Sequence, residues 1–279
     1  MKKVLITGLN SYVGNSFAKW VKDDTELSVE KISLRDGAWR GKDFSKFDVV
    51  LHVAGIAHVS TDPKQEQLYY EVNRDLTIEI AKKAKQDGVK QFIFMSSIIV
   101  YGDKIKDGVI TEKTVPSPAN FYGKSKLQAE DGILPLQSSN YNIAVVRPPM
   151  IYGKYSKGNY PKLAKIAKVS PIFPDIENQR SMLHIDNLSE FIKLLILNED
   201  KGFFFPQNEE YVKTSEMVKL IGEAHGKKVK LVKIFNPFIK PFINKSNVLN
   251  KVFGNLKYEI ETNKISKVNL KKSIDLTEI

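Results

Sequence analysis

The chain has 279 residues, of which 42% are hydrophobic and 27% charged, enough for one large α/β domain or for a nucleotide domain with a smaller cap, and too apolar for disorder. It has no cysteine, which removes disulfides, thiol nucleophiles and thiolate metal sites, and His52, His58, His184 and His225 lack zinc-like spacing, so no metal is expected. The net charge of +11 sits mostly beyond residue 212, where 14 lysines face 6 acids without a single arginine; scattered lysine of this kind argues against base reading, and no nucleic-acid partner is expected.

No apolar run reaches the ~18 residues of a spanning helix. The first residues open a strand rather than a signal peptide, so a cytoplasmic location is the expectation. The first strand is read at Lys3 to Thr7, and the helix after it puts Val13, Phe17, Trp20 and Val21 on one face. Further strands follow at Ser28 to Leu34, Asp48 to Gly55, Gln91 to Ser97 and Asn142 to Pro148, nearly continuous in apolar residues and therefore buried on both faces. Helices fit between them at Glu66 to Gln86 and from Asn120 to about Leu136. This alternation predicts an α/β fold built on a doubly wound parallel sheet.

After Pro148 the rhythm breaks, with Gly153, Gly158 and the proline-punctuated stretch Ser170 to Gln179. A helix from Asp186 to about Leu197 and a strand at Gly202 are expected to return to the sheet, followed by a helix at Ser215 to Ala224, the short strand "KVKLVKI" and a lysine-rich tail. The expected division is a cofactor domain at 1–150, with 186–205 returning to it, and a small C-terminal substrate-binding part made of 151–185 and 206–279.

"TGLNSYVG" stands where a dinucleotide's pyrophosphate would meet a strand, a tight turn and a helix N-terminus. Gly8 and Gly14 are placed for the turn and for close helix packing, while Ser11 replaces the usual middle glycine and offers a small side chain whose hydroxyl can donate to a phosphate oxygen. Asn10, Tyr12 and Val13 complete the candidate turn. The second strand ends in Arg35 and Asp36: the aspartate suits the ribose hydroxyls of NAD and the arginine the 2′-phosphate of NADP, so both cofactors stay open. Asp43, followed by Phe44, is a candidate for the adenine edge.

Tyr122 and Lys126, four apart in "FYGKSKLQAE", share one face of a predicted helix. An ammonium within reach favours a phenolate, which makes the pair a candidate general acid-base for a carbonyl/alcohol couple. Ser97, at the carboxyl end of the preceding strand, brings a hydroxyl to the end of the sheet where ligands of such folds bind.

With these motifs in place, the chain resembles the extended short-chain dehydrogenase/reductases, in particular their nucleotide-sugar epimerases and 4-keto reductases, whose cofactor domain is a Rossmann sheet. The likeness rests on "TGLNSYVG", "VVLHVAG", Asn73 in "YEVNRDLT", "MSSIIVYG", "FYGKSK" and "VVRPPMIYG". It implies that Tyr122 is the acid-base residue, that Lys126 holds the nicotinamide ribose and tunes the tyrosine, and that Ser97 binds the reacting oxygen. It also implies that His52, Val53, Ala54 and Gly55 lie along the cofactor, that Asn73 is a polar link on the same side, and that Pro148 flanks the nicotinamide.

The later stretch "GNYPKLAKIAKVSPIFPDIENQRSMLHIDNL" is similar to the substrate region of sugar-nucleotide enzymes. That likeness nominates Arg180, Gly158 and Asn159 for the diphosphate, an arginine fork being suited to bidentate phosphate contact, with Ile98 beside the sugar and a UDP-sugar as substrate. The wording "RSM…DNL" is similar to UDP-N-acetylhexosamine 4-keto-6-deoxy reductases and related 4-epimerases of surface polysaccharide synthesis, and the reading of Ser11 as a looser grip, with the presence of Arg35, leans towards 4-keto reduction of a UDP-4-keto-6-deoxy-HexNAc. A UDP-hexose or UDP-HexNAc 4-epimerase with retained NAD is the alternative, and a non-catalytic cofactor-sensing regulator the alternative of another class. A dehydratase is disfavoured because Ile98 and Ile99, not carboxylates, follow Ser97. The resemblance also implies a homodimer, and the mixed apolar and basic run "NPFIKPFINKSNVLNKVFG" allows at most loose membrane association.

Overall fold

The computed structural model describes residues 1–56, 62–102, 105–259, 264–265 and 267–279; His58 lies outside them. The chain divides into two compact units, one of Met1–Asp103, Val115–Pro148 and Leu188–Pro206, the other of Lys104–Thr114, Pro149–Asn187 and Gln207–Ile279. The segment 104–114, read from sequence as part of the cofactor domain, belongs to the second unit because Val109–Ile110 pairs in parallel with Lys257–Tyr258.

The first unit is a six-stranded parallel sheet. Its strands are β1 (Lys2–Thr7), β2 (Leu27–Ile32), β3 (Val49–His52), β4 (Gln91–Met95), β5 (Asn142–Val146) and β6 (Gly202–Phe204), in the order β6-β5-β4-β3-β1-β2. β3 and β4 are buried along their whole length, as apolar runs covered on both faces must be. The strand at Gly202 does join the sheet, on β5. Three helices matter for the site: α1 (Tyr12–Trp20), α2 (Leu76–Gln86) and α3 (Phe121–Ile133). On one face of the sheet Leu5, Val50, Phe92 and Val145 pack with Trp39, Phe44, Ile80, Ala81, Ala129 and Ile133.

The helix expected as one piece from Glu66 to Gln86 has three parts. A short α-helix at Glu66–Tyr69 runs into a π-helical stretch, Tyr70–Asp75, and then into α2. Single π turns inside α-helices often sit at functional sites, and this one carries the fully buried Asn73.

The second unit is built from short parallel pairs, Met150–Tyr152 with Met182–His184 and Ile172–Pro174 with Lys230–Val232, and from the helices Tyr160–Val169, Thr214–Ala224 and Leu270–Glu278. Its core joins Tyr152, Tyr160, Met182, Met217, Ile221, Phe253 and Ile274. The lysine-rich tail thus contributes buried apolar groups, not only a solvated surface. Asn187, of the "DNL" stretch, is a staple: its amide donates to Asn208 Oδ1 at 2.8 Å and to the Val268 carbonyl at 3.0 Å, and its oxygen accepts from the Val268 N–H. Among the described residues no helix is long and apolar enough to cross a membrane.

Candidate active site

In an open parallel sheet the strand order reverses where β1 lies between β2 and β3, and ligands bind beyond the carboxyl ends of the strands at that switch point. Two loops of the first unit meet there. Gly8 follows β1 with φ +94°, a conformation that favours glycine, and a Cβ on it would stand 3.0 Å from Ala54 Cα in the loop after β3. Gly14 is buried in the first turn of α1, where a Cβ would stand 2.9 Å from Ile6 Cγ2 and 3.0 Å from Val53 Cγ2. Gly8 thus allows the close approach of the two loops and Gly14 the close packing of α1, with Val53 packed beneath that helix. Clearance for backbone at the switch point, together with a helix N-terminus, fits a dinucleotide's pyrophosphate.

Ser11 has a more definite task than filling the middle position. It is the N-cap of α1, and its Oγ accepts from the Gly14 N–H at 3.3 Å. The hydroxyl hydrogen stays available to a phosphate oxygen, while the oxygen secures the helix start. Asn10 is exposed, and Tyr12 and Val13 are half-buried in the same turn. Arg35 and Asp36 are both exposed beyond β2, with Asp36 Oδ1 accepting from the Ala38 N–H at 3.1 Å.

Two expectations need correction. Phe44 is not at a ligand surface: it is completely buried in the core with Trp39 and Ile80, and only Asp43, exposed and held below its usual pKa by hydrogen bonds from Ser45, remains near that edge. His52 is also completely buried, its Nδ1 2.8 Å from Thr7 Oγ1 and its Nε2 2.9 Å from Thr77 Oγ1. Burial pushes its pKa down to about 3, so it is a neutral spacer beneath the site and has no nitrogen left for a ligand. The polar chain continues upward. Thr77 donates to the Asn73 carbonyl, and Asn73 donates to the Ile56 carbonyl and Ser125 Oγ while accepting from the Ile56 N–H at 2.8 Å. Asn73 is a polar link, as expected, and it fixes the loop that carries Ala54 and Gly55.

The catalytic candidates come together at the end of β4. Ser97 caps the 3₁₀ turn Ile98–Tyr101, accepting from the Ile99 N–H at 3.3 Å, and the Ile98 N–H donates to the Pro148 carbonyl at 2.9 Å. That bond joins the ends of β4 and β5. Asn120 caps α3 by accepting from the Gly123 N–H at 2.9 Å, so the helix begins just before Tyr122. Tyr122 is only 7% exposed, and its ring stands edge-on to Tyr69 at 6.1 Å. Burial pushes the phenol up to about 12, and a hydrogen bond with Ser97 works in the opposite direction.

Lys126, 5% exposed, donates to the Met95 carbonyl at 2.9 Å and sits 4.7 Å over the Phe94 ring. Gly55 borders it, since a Cβ there would stand 3.3 Å from Nζ. The expectation that Lys126 lowers the Tyr122 pKa is not met: the phenol's opposing partner is Ser97, while the ammonium is held by a strand-end carbonyl. Burial pushes Lys126 itself down to about 8, with Glu130 working in the opposite direction.

That depression has a measurable sign. An unfolded chain keeps its lysine near the ordinary 10.5, so between about pH 8 and 10.5 the unfolded state binds more protons than the folded one. Folding stability from this group is lowest below pH 8 and rises across that window. Denaturant titrations at pH 8 and at pH 10 should show the rise in the parent and lose it in Lys126→Met; an unchanged slope in the variant would contradict the assignment.

Sequence reasoning missed the support of this helix. Glu130 and Arg147, 1% and 7% exposed at the side chain, form an ion pair at 2.5 Å; Glu130 also accepts from Ser96 Oγ, and Arg147 donates to Tyr101 Oη at 2.9 Å. The available signal was position, since Glu130 is four residues after Lys126 on α3 and Arg147 is a lone charge directly after β5. Among the described residues no group of histidines and carboxylates is arranged to hold a metal ion.

The other three candidates belong to the second unit. Gly158, with φ +98° and open space around it, and Asn159 are exposed just before the helix Tyr160–Val169. Arg180 donates from Nη1 to the Gly254 carbonyl at 2.8 Å and the Asn250 carbonyl at 3.4 Å, and burial pushes it down to about 10. It has no acidic partner among the described residues, so part of the guanidinium fork remains for an anion.

Comparison with known proteins agrees with this architecture. The model of the NAD dependent epimerase/dehydratase family matches residues 4–204. A UDP-glucose 4-epimerase of Vibrio cholerae is 30% identical over 94% of this chain and 89% of its own length. An N-acetyl-α-D-glucosaminyl-diphospho-ditrans,octacis-undecaprenol 4-epimerase of Escherichia coli O157:H7 is 26% identical over 88% and 75%. Among solved structures, a UDP-glucuronic acid 4-epimerase from Bacillus cereus in complex with NAD superposes with a TM-score of 0.74 at 17% identity, covering 99% of this chain and 97% of that one. A dTDP-4-dehydrorhamnose reductase from Clostridium acetobutylicum does so with 0.74 at 20% identity, covering 99% and 100%. The strand order, the glycine turn at its switch point, the Ser97, Tyr122 and Lys126 cluster and the match over 4–204 lead to one conclusion: this chain is a member of the NAD-dependent epimerase/dehydratase family of enzymes.

Proposed function

We propose that the protein is a UDP-hexose or UDP-N-acetylhexosamine 4-epimerase that retains its NAD. The observation that carries the reading is the meeting of Ser97, Tyr122 and Lys126 at the end of β4, beside the switch-point loops and with no carboxylate following Ser97. That set moves protons at a hydroxyl and has no acid-base pair to eliminate water. The one acid of α3 buried nearby, Glu130, is committed to Arg147.

Bound nicotinamide supplies a hydride acceptor and returns the hydride. The residues do the rest. Ser97 donates to the C4 oxygen and orients it, and Lys126 holds positive charge beneath the cofactor ribose; Tyr122, whose burial by itself disfavours the phenolate, would take the hydroxyl proton once a positively charged nicotinamide lies beside it and would give the proton back after the keto-sugar has turned. Arg180, with Gly158 and Asn159, is assigned to the diphosphate of the substrate.

The reductase reading leaned on a loose cofactor grip at Ser11. Because Ser11 secures the start of α1, that argument loses its footing, and the likeness to the Vibrio 4-epimerase over almost the whole chain supports the epimerase. Reduction of a UDP-4-keto-6-deoxy-HexNAc stays the second reading because Arg35 is exposed beyond β2, where a 2′-phosphate of NADP would lie. Purified protein given UDP-glucose or UDP-GlcNAc with no added cofactor should interconvert the C4 epimers, as followed by proton NMR. Consumption of NADH or NADPH by the 4-keto sugar, with no epimerisation, would overturn the proposal in favour of the reductase.

A further inference from the structure

We propose that residues 233–251 of the second unit form a docking surface for an anionic phospholipid bilayer. The segment comprises the short helix Asn236–Ile239, the 3₁₀ helix Lys240–Lys245 and the helix Asn247–Phe253. Its two sides differ sharply. Ile239, Ile243, Leu249 and Val252 pack against the core of their unit, and Phe253 is buried in it. The other side carries large apolar groups into solvent: Ile234 is 73% exposed, Phe238 72%, Phe242 53% and Val248 71%. Phe238 and Phe242, in consecutive short helices, are both on this solvent-exposed side. Such a concentration exceeds the scattered apolar residues of an ordinary surface.

Charge selects the occupant. From His225 to Tyr258 there are eight lysines and no aspartate or glutamate. Lys240, Lys245 and Lys251 are exposed and have no acidic partner among the described residues. The neighbouring acid Asp175, whose carbonyl accepts from Asn236, gives its carboxylate to Lys213 at 2.8 Å. Exposed phenylalanines interspersed along the segment with exposed lysines match the boundary of an anionic leaflet, with rings at the acyl edge and ammonium groups at the phosphates. A second copy fits poorly, because a two-fold contact would set these lysines against themselves. Nucleic acid fits less well too, since the face offers no arginine and mixes the aliphatic Ile234 and Val248 with its phenylalanines.

The proposal stands apart from the C4 chemistry, and its test separates the two. The full-length protein is floated with vesicles of phosphatidylcholine alone or of equal parts phosphatidylcholine and phosphatidylglycerol. Binding is expected only to the second and should weaken with salt. The double variant Phe238→Ser/Phe242→Ser should lose at least about tenfold in vesicle affinity, and Lys240→Gln/Lys245→Gln about fivefold for each lysine. Both should keep the parent's melting temperature and its turnover of a soluble UDP-sugar. The idea is overturned if the parent ignores anionic vesicles, binds both kinds equally, or retains its affinity in the phenylalanine variant. It is equally overturned if the parent is a dimer that this variant splits, or if only a polynucleotide binds.

Discussion

Tyr122→Phe is expected to reduce turnover of the nucleotide-sugar by at least about a hundredfold while NAD affinity and stability change little. The substitution removes one oxygen and keeps the ring against Tyr69, so packing survives. The proton acceptor for the C4 hydroxyl is lost, and Ser97, which shares a hydrogen bond with the phenol, cannot replace it, because an aliphatic hydroxyl is a still weaker acid than the buried phenol. Steady-state kinetics with calorimetric titration of NAD would separate chemistry from binding. Turnover equal to the parent's would remove Tyr122 from the mechanism and leave a cofactor-binding protein without this reaction.

The largest effect on stability is expected from Arg147→Met. The substitution leaves the Glu130 carboxylate buried against Ser96 without its ion-pair partner and with only the more distant Lys126 ammonium as a positive neighbour, and breaking a buried pair from one side costs about 3–5 kcal/mol. For a chain of this size that lowers the melting temperature on the order of 10 °C. The double variant Glu130→Leu/Arg147→Met should regain most of the loss, because no isolated charge remains. Arg40→Met provides the contrast: its pair with Glu79 is exposed, and circular dichroism melting should shift little. Equal small shifts for Arg147 and Arg40 would mean that water reaches the Glu130 pair.

Part of this was legible in the chain. Ser97, Tyr122 and Lys126 were found because a strand end and an i, i+4 spacing are local facts, and the parallel sheet because its strands are apolar throughout. His52 and Phe44 were placed wrongly for a related reason. In a strand or loop covered on both sides, alternation does not tell a side chain facing ligand from one facing core, and His52 turned inward to Thr7 and Thr77. Glu130 and Arg147 escaped notice because their pairing joins a helix to a strand 17 residues later, which no local pattern reports. Ser11 looked like a defect only while the glycine motif was considered without its helix; the cap to Gly14 is visible once α1 is built.

The π-helical stretch Tyr70–Asp75 gives this helix an unusual tolerance with an unusual cost. Deleting one residue there would let the turn close as ordinary α-helix, so the backbone itself would not object. Each residue of an α-helix advances the azimuth by about 100°, so the shortened helix would point either Tyr69 away from Phe121 and Tyr122 or Thr77 away from His52. The extra residue thus works as an angular spacer between an aromatic contact on one side and a polar one on the other. A length change at this point would misalign one of those contacts while the backbone stays helical, whereas the same deletion within α2 would keep the hydrogen-bond ladder but rotate the buried face of Ile80, Ala81 and Ala84 within the core.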